Sequence, residues 1–340
     1  TNDNSVDQFY AALWPLFTLR LTIAACQPWS TASASQKLCS TSWRQSSVYK
    51  LGFIGIGTMG APMVRCMAQN GHAPLIYDAL PDAARKAGEG SKLQVASSLV
   101  EVGEHAEIVI LMLPNSKIVE TVCLGADGVA RSMTQGGIIV DMSSSDPIET
   151  RKLGAALKEH GIVLLDGPVS GGLRKAVNGS LAIMLGGDDP AAIDLVKPVL
   201  ESMGKVFSAG GLAAGHATKA LNNYVSAAGL AAACEAVLIG QEFGLDPARL
   251  IEIINASTGR NNSTENKVVQ FILSENFKAA GFGLGLMAKD VGLAASLSKH
   301  VGQHLPGVQA AAETWRAAEA SLKKGADHTE IFTFLAANDK

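Results

Sequence analysis

Residues 50–71 constrain the fold more than any other segment. "KLGFIGIG" is a short apolar run that ends in glycines. "TMGAPMVRCMAQNG" follows with helical spacing, which places Met59, Met63, Val64 and Met67 on one side. Pro62 falls in the first helical turn, where a missing N–H costs little, and Gly71 ends the helix. Gly55, Gly57 and Gly60 stand in G-x-G-x-x-G spacing, and Asp78 closes the next apolar run, "APLIYD". Strand, glycine turn, helix and a downstream acid together form a dinucleotide fingerprint. Gly55 permits the tight turn, Gly57 lets the backbone approach a pyrophosphate, and Gly60 lets helix and strand pack. The helix N-terminus, with Thr58 and Met59 leading into it, faces the phosphates. Asp78 can accept from a ribose 2′-OH and would repel a 2′-phosphate. With Arg85 a turn or two into the next helix, NAD is expected over NADP.

The remaining pattern predicts an α/β protein: a Rossmann-type dinucleotide-binding domain, then an all-helical C-terminal domain, joined by a long helix. "EIVILMLPN", "GGIIVDMSSS" and "GIVLLDGPVSGG" read as buried strands separated by helical stretches such as 147–160. That alternation predicts a parallel sheet with right-handed crossovers. "SLAIMLGG" extends the strand series to about residue 186. Beyond Gly210, "HATKALNNYVSAAGLAAACEAVLIGQEFG" reads as one long helix, and residues 246–335 read as helical throughout, broken at glycines. The expected division is an extension over 1–47, a NAD-binding domain over 48–210 and an all-α substrate and oligomerisation domain over 211–340.

Ligands in such sheets sit outside the carboxyl ends of the strands. Leu113, Pro114 and Ser144 are therefore candidates to line the cofactor. "DGPVSGG" follows a strand and is either a plain loop or a cradle of backbone N–H groups for an anion. Lys219 and Asn223, four apart in "GHATKALNN", share a helical face, with His216 three before the lysine. A lysine on an Ala- and Gly-rich junction helix must be paired or have its pKa pulled down, and a depressed lysine makes a good acid–base group at neutral pH. His216 is the alternative proton carrier. "GRNNSTENK" carries many hydrogen-bonding side chains, which fits either a polyhydroxy ligand or a solvated loop.

The net charge of −3 makes no case for nucleic acid or an anionic membrane. Lys219, Asn222, Asn223 and Glu235 argue against a membrane span for the long helix. The five cysteines form neither a CxxC pair nor a metal-type cluster, so no metal is expected. Between Asp7 and Asp78 there is no acidic residue, and residues 27–49 are rich in Ser and Thr. Residues 1–47 are thus read as a targeting-like or non-native extension, consistent with a cytoplasmic or mitochondrial-matrix protein. The Ala-, Gly- and apolar-rich helical half predicts a homo-oligomer, a dimer or tetramer.

"GFIGIGTMGAPM", "DGPVSGG", "GHATKALNN" and "MAKDVGLA", in that order and spacing, resemble the β-hydroxyacid dehydrogenases, in their 3-hydroxyisobutyrate dehydrogenase-like branch. The resemblance covers about residues 49–335. It implies Lys219 as catalytic acid–base, and Ser170, Gly171 and Gly172 as binders of the substrate carboxylate. It further implies Asn223 as a substrate-binding group that orients the hydroxyl or carboxylate, Lys289 near cofactor and substrate, and Asp290 as a helper. "SSS" at 143–145 departs from the family's Ser-Thr-Ile, which loosens the nicotinamide contact of Ser144. The implied activity is NAD-dependent oxidation of a short 3-hydroxy carboxylate. A semialdehyde reductase of the tartronate semialdehyde type, a sugar-acid dehydrogenase and a non-catalytic cofactor-binding protein stand as alternatives.

Overall fold

The computed structural model of the chain describes residues 49–89 and 93–337. The extension over 1–47, with Cys26 and Cys39, lies outside the described residues. Eight strands form one sheet: β1 (Leu51–Ile54), β2 (Leu75–Tyr77), β3 (Ile108–Leu111), β4 (Ile138–Asp141), β5 (Val163–Asp166), β6 (Val169–Ser170), β7 (Leu181–Gly186) and β8 (Gly204–Gly210). Helices α1 (Gly60–Gln69), α2 (Pro81–Gly88), α3 (Leu99–His105), α4 (Ser116–Leu124), α5 (Pro147–Glu159), α6 (Gly172–Val177) and α7 (Pro190–Glu201) intervene. The chain continues as α8 (Ala214–Phe243), α9 (Pro247–Asn255), α10 (Asn262–Asn266), α11 (Leu284–His300), α12 (Pro306–Ser321) and α13 (Ile331–Ala337).

The sheet runs β2-β1-β3-β4-β5-β7-β6, with β8 paired to β7. One further pairing completes its edge. Ile76 donates to the Gln94 carbonyl (2.9 Å) and accepts from the Ala96 N–H (2.8 Å), a parallel bridge to Val95. Counting that short partner, the parallel part has the Rossmann order 3-2-1-4-5-6. The switch point then falls between β1 and β3, where the crevice for a ligand must lie. Every residue of β1, β3 and β4 is buried, as a sheet covered by helices on both faces requires. Ser98, Asn115, Asp146 and Asp189 cap α3, α4, α5 and α7 by accepting from first-turn N–H groups.

The sheet is not wholly parallel, against the sequence expectation. β7 runs antiparallel to β5 and β6 antiparallel to β7. The link between β5 and β7 holds only the two-residue β6 and the six-residue α6, so the chain folds back instead of crossing over. β8 escaped the sequence reading, which ended the strand series near residue 186. It is an edge strand with Phe207 exposed, so it lacks the apolar run that marks a buried strand. In the C-terminal region α8 lays Ala220, Ala227, Leu230, Ala233, Cys234 and Val237 into a second core with α11 and α12, around the fully buried Trp315. That region is less uniformly helical than expected. A π turn (Val268–Ile272), a 3-10 turn (Phe277–Ala280) and a bridge between Gly283 and Asp327 interrupt it.

Candidate active site

The fingerprint turn follows from its glycines. Gly55 has φ +101°, and a Cβ there would run into the Met112 carbonyl of the neighbouring strand end. A Cβ at Gly60 would strike the Gly55 carbonyl, so the turn and the helix close on each other only through glycine. Gly57 and Thr58 are exposed, and no protein atom lies near the outer face of Gly57. The first turn of α1 carries neither a side-chain cap nor an acidic residue. An open backbone crest before an uncapped helix N-terminus fits a pyrophosphate. Met59 instead packs against the core. The Asp78 carboxylate accepts from Ile56 N–H (2.7 Å) and Leu80 N–H (2.7 Å). It therefore braces the turn from the far strand, while each oxygen keeps a lone pair for a ribose hydroxyl.

The strand ends beside the crevice are tied together. Leu113 donates from its N–H to Ser143 Oγ (2.9 Å), and Ser143 in turn donates from its N–H to Asp141 (3.0 Å). Lys289, on α11, reaches across from the helical half. Its ammonium donates to the Ser144 carbonyl (2.7 Å) and the Pro114 carbonyl (3.3 Å), and lies 3.4 Å from Asp290 Oδ1. Lys289 thus clamps two of the predicted cofactor loops to α11, with its donors occupied by protein.

Asp290 is buried and accepts from Asn223 Nδ2 (2.6 Å). Asn223 Oδ1 accepts from Asn222 Nδ2 (3.1 Å). The Asn223 amide is therefore largely engaged by its own neighbours. Lys219, one turn earlier on α8, is half-buried. Desolvation pushes its ammonium below the ordinary lysine range; the nearby Lys289 charge pushes the same way, and the Asp290 carboxylate opposes both. Lys219, Asn223, Lys289 and Asp290 form one cluster. The hydrogen bonds and ion pairs of the described residues do not join residues 170–172 to it. That loop has Gly171 at φ +130° and Gly172 at φ +64°, with open space above Gly172.

His216 is buried, with Nδ1 2.8 Å from Thr150 Oγ1 and the ring between the Asp141 and Asp166 carboxylates (3.7 and 3.8 Å). Sequence reasoning offered His216 as a proton carrier and passed over Asp141, Thr150 and Asp166. Asp166 opens "DGPVSGG" and Asp141 bonds Ser143 and Ser145 nearby, but the contact each of the three makes with His216 spans tens of residues, which no local motif marks. The polar run at 260–267 is largely self-contained. Asn261 forms a capping box with Thr264, and Lys267 lies within 3.5 Å of Ser226 Oγ.

Residues 50–211 match the family described as the NAD binding domain of 6-phosphogluconate dehydrogenase. Residues 213–335 match the family described as NAD-binding of NADP-dependent 3-hydroxyisobutyrate dehydrogenase. The chain is 38% identical over 265 residues to the mitochondrial 3-hydroxyisobutyrate dehydrogenase of Mus musculus, covering 76% of this chain and 77% of that protein. The chain belongs to the β-hydroxyacid dehydrogenases, in the 3-hydroxyisobutyrate dehydrogenase-like branch. Another relative is the 2-(hydroxymethyl)glutarate dehydrogenase of Eubacterium barkeri, at 38% identity over 76% of this chain and 85% of that protein. Among solved structures, Mycobacterium tuberculosis 3-hydroxyisobutyrate dehydrogenase with L-serine has a TM-score of 0.77 at 30% identity, covering 84% of this chain and 99% of that one. Membership makes this chain an oxidoreductase that acts on CH–OH with NAD(P), which bears out the resemblance, the fold class and the cofactor type read from the sequence.

Proposed function

We propose that this dehydrogenase oxidises short 3-hydroxy carboxylates of the form HOCH2–CH(R)–COO⁻, with Lys219 as acid–base and NAD preferred. The observation that carries the reading is the Lys219 cluster. A desolvated lysine stands beside a second cation, on the helix that α11 and Lys289 connect to the cofactor loops. The bound dinucleotide supplies the hydride acceptor. The protein must then take the hydroxyl proton, and neutral Lys219 Nζ is the base for it; in the reverse direction the ammonium returns that proton. Residues 170–172 present backbone N–H groups to the carboxylate, which a side chain at Gly172 would cover. Asn223, Lys289 and Asp290 set the position and charge of Lys219 more than they contact substrate.

The substrate class rests on the relatives. 3-Hydroxyisobutyrate, 2-(hydroxymethyl)glutarate and L-serine, named with three of them, share HOCH2–CH(R)–COO⁻ and differ only in R. Reduction of tartronate semialdehyde would yield the member with R = OH, so that alternative uses the same site. Turnover across R = H, CH3, OH, NH3⁺ and CH2CH2COO⁻ identifies the group. Lys219→Ala should lower kcat by about 10²- to 10⁴-fold with NAD binding unchanged, and Lys219→Arg should not rescue, since guanidinium stays protonated. If Lys219→Ala keeps more than about a tenth of wild-type kcat while His216→Ala abolishes turnover, the base is His216.

Exposed Leu221, Val225, Ile239 and Phe243 on α8 support a homo-oligomer built on that helix, and a monomer by light scattering at micromolar concentration would refute it. The division at 210/211 and a targeting role for residues 1–47 belong to the same proposal. Mitochondrial and bacterial relatives support a cytoplasmic or mitochondrial-matrix location.

A further inference from the structure

Helix α8 begins without any cap of its own. Its N-cap residue, Ala213, has a left-handed backbone (φ +74°), which a residue with a Cβ adopts only when its surroundings hold it there. No side chain within the helix accepts from its first-turn N–H groups. The acceptor comes instead from the end of β5, about fifty residues upstream. Asp166 Oδ1 accepts from Ala213 N–H (2.7 Å) and Asp166 Oδ2 from His216 N–H (2.8 Å). The carboxylate is fully buried, and its seat is built by two other elements. A Cβ on Gly186 at the end of β7 would stand 2.6 Å from Oδ1, and one on Gly215 in α8 2.8 Å from Oδ2. Both positions are glycine, which leaves the carboxylate its room.

We infer that Asp166 is a positioning residue for Lys219, holding the first turn of α8 against the sheet so that the lysine one turn further on meets the substrate in a fixed place. The inference rests on Lys219 being the acid–base. Asp166 is also the first residue of "DGPVSGG". The chain therefore leaves this carboxylate directly into the loop over 170–172, while the carboxylate itself grips the catalytic helix. One side chain thus sets the distance between two parts that must act on the same small molecule. The titratable groups facing it are His216 and Asp141. The first-turn N–H groups of a helix have no intrahelical partner, so the positive end of the α8 dipole faces Asp166 as well.

The test has three arms on the full chain. In the wild type, hydrogen–deuterium exchange should find the Ala213 and His216 amides protected; free exchange there overturns the inference without any variant. Asp166→Asn keeps the shape but turns an N–H donor toward one of the two backbone N–H groups. It should lose that protection, lower kcat on the order of 10²-fold and leave the KM for NAD within about threefold, as misplacement of one group does. The apparent pKa of the kcat profile should also rise toward that of free lysine as Lys219 gains water, which a merely structural role would not cause. Unchanged kcat, or lost protection with an unmoved pKa, overturns the inference. Lys219→Ala runs alongside. If it keeps turnover, the acid–base assignment fails and the positioning role with it. If it loses turnover while Asp166→Asn behaves as wild type, only the role of Asp166 fails.

Discussion

Replacing Lys289 by Met should weaken the protein and move its pH profile together. The substitution deletes the ammonium that donates to the Ser144 carbonyl at 2.7 Å and the Pro114 carbonyl at 3.3 Å, and that lies 3.4 Å from Asp290. A charge-assisted hydrogen bond contributes about 1.5–3 kcal/mol, and the shorter of the two should carry most of that. The longer one and the stranded Asp290 carboxylate, which is almost fully buried, add on the order of 1–2 kcal/mol. Met recovers part by packing its stem, so the net loss should be about 2–4 kcal/mol. At roughly 2–4 °C per kcal/mol for a chain of a few hundred residues, Tm should fall by about 4–16 °C. The same change removes a cation beside Lys219 and leaves Asp290 less neutralised. Both effects raise the lysine pKa, so oxidation should need a higher pH to reach its plateau. Differential scanning fluorimetry and kcat against pH test the two halves. A Tm within about 2 °C of wild type, or an apparent pKa that stays or falls, would refute the clamp.

Three further outcomes follow from the same geometry. Asp290→Asn should shift the kcat profile to lower pH, opposite to Lys289→Met, because the carboxylate is the group that raises the Lys219 pKa; a rise would contradict the charge assignment. Lys219→Met should be no less stable than wild type at pH 7 by Tm, and its advantage should fade as pH climbs toward about 10.4. The reason is linkage: a lysine depressed in the native state binds fewer protons there than in the unfolded chain, so its burial costs stability below the folded pKa and none above the unfolded one. Asp78→Asn should narrow the kcat/KM preference for NAD over NADP while lowering Tm, since Asp78 also accepts from Ile56 and Leu80; a wild-type preference for NADP would overturn its role as cofactor selector.

How much of the site could be read in advance depended on the distance along the chain between interacting groups. The fingerprint turn, α1 and Asp78 lie within one βαβ unit, where residue type and spacing dictate the backbone. Lys219 and Asn223 were legible because they sit four apart on one helix. Lys289 was legible as a position and not as a clamp, because its carbonyl partners belong to residues 145 and 175 positions away. Carbonyls also carry no residue signature. Asn223 read as a ligand for substrate, whereas Asp290, 67 residues on, holds its amide. The bridge to Val95 and the edge strand β8 left little apolar trace, since edge pairing is made by backbone groups.

The sequence by itself determined the local periodicities, the glycines that admit close backbone approach and the chemical type of each candidate residue. These specify a Rossmann-type half, a helical half and a lysine on the helix between them. Only the tertiary structure decided that the sheet reverses at β7, that Asp166 caps a helix fifty residues away and that Lys219 is desolvated beside one cation and one carboxylate. Hydrogen bonds and desolvation depend on which groups come within a few ångströms, and for residues far apart in the chain folding alone sets that.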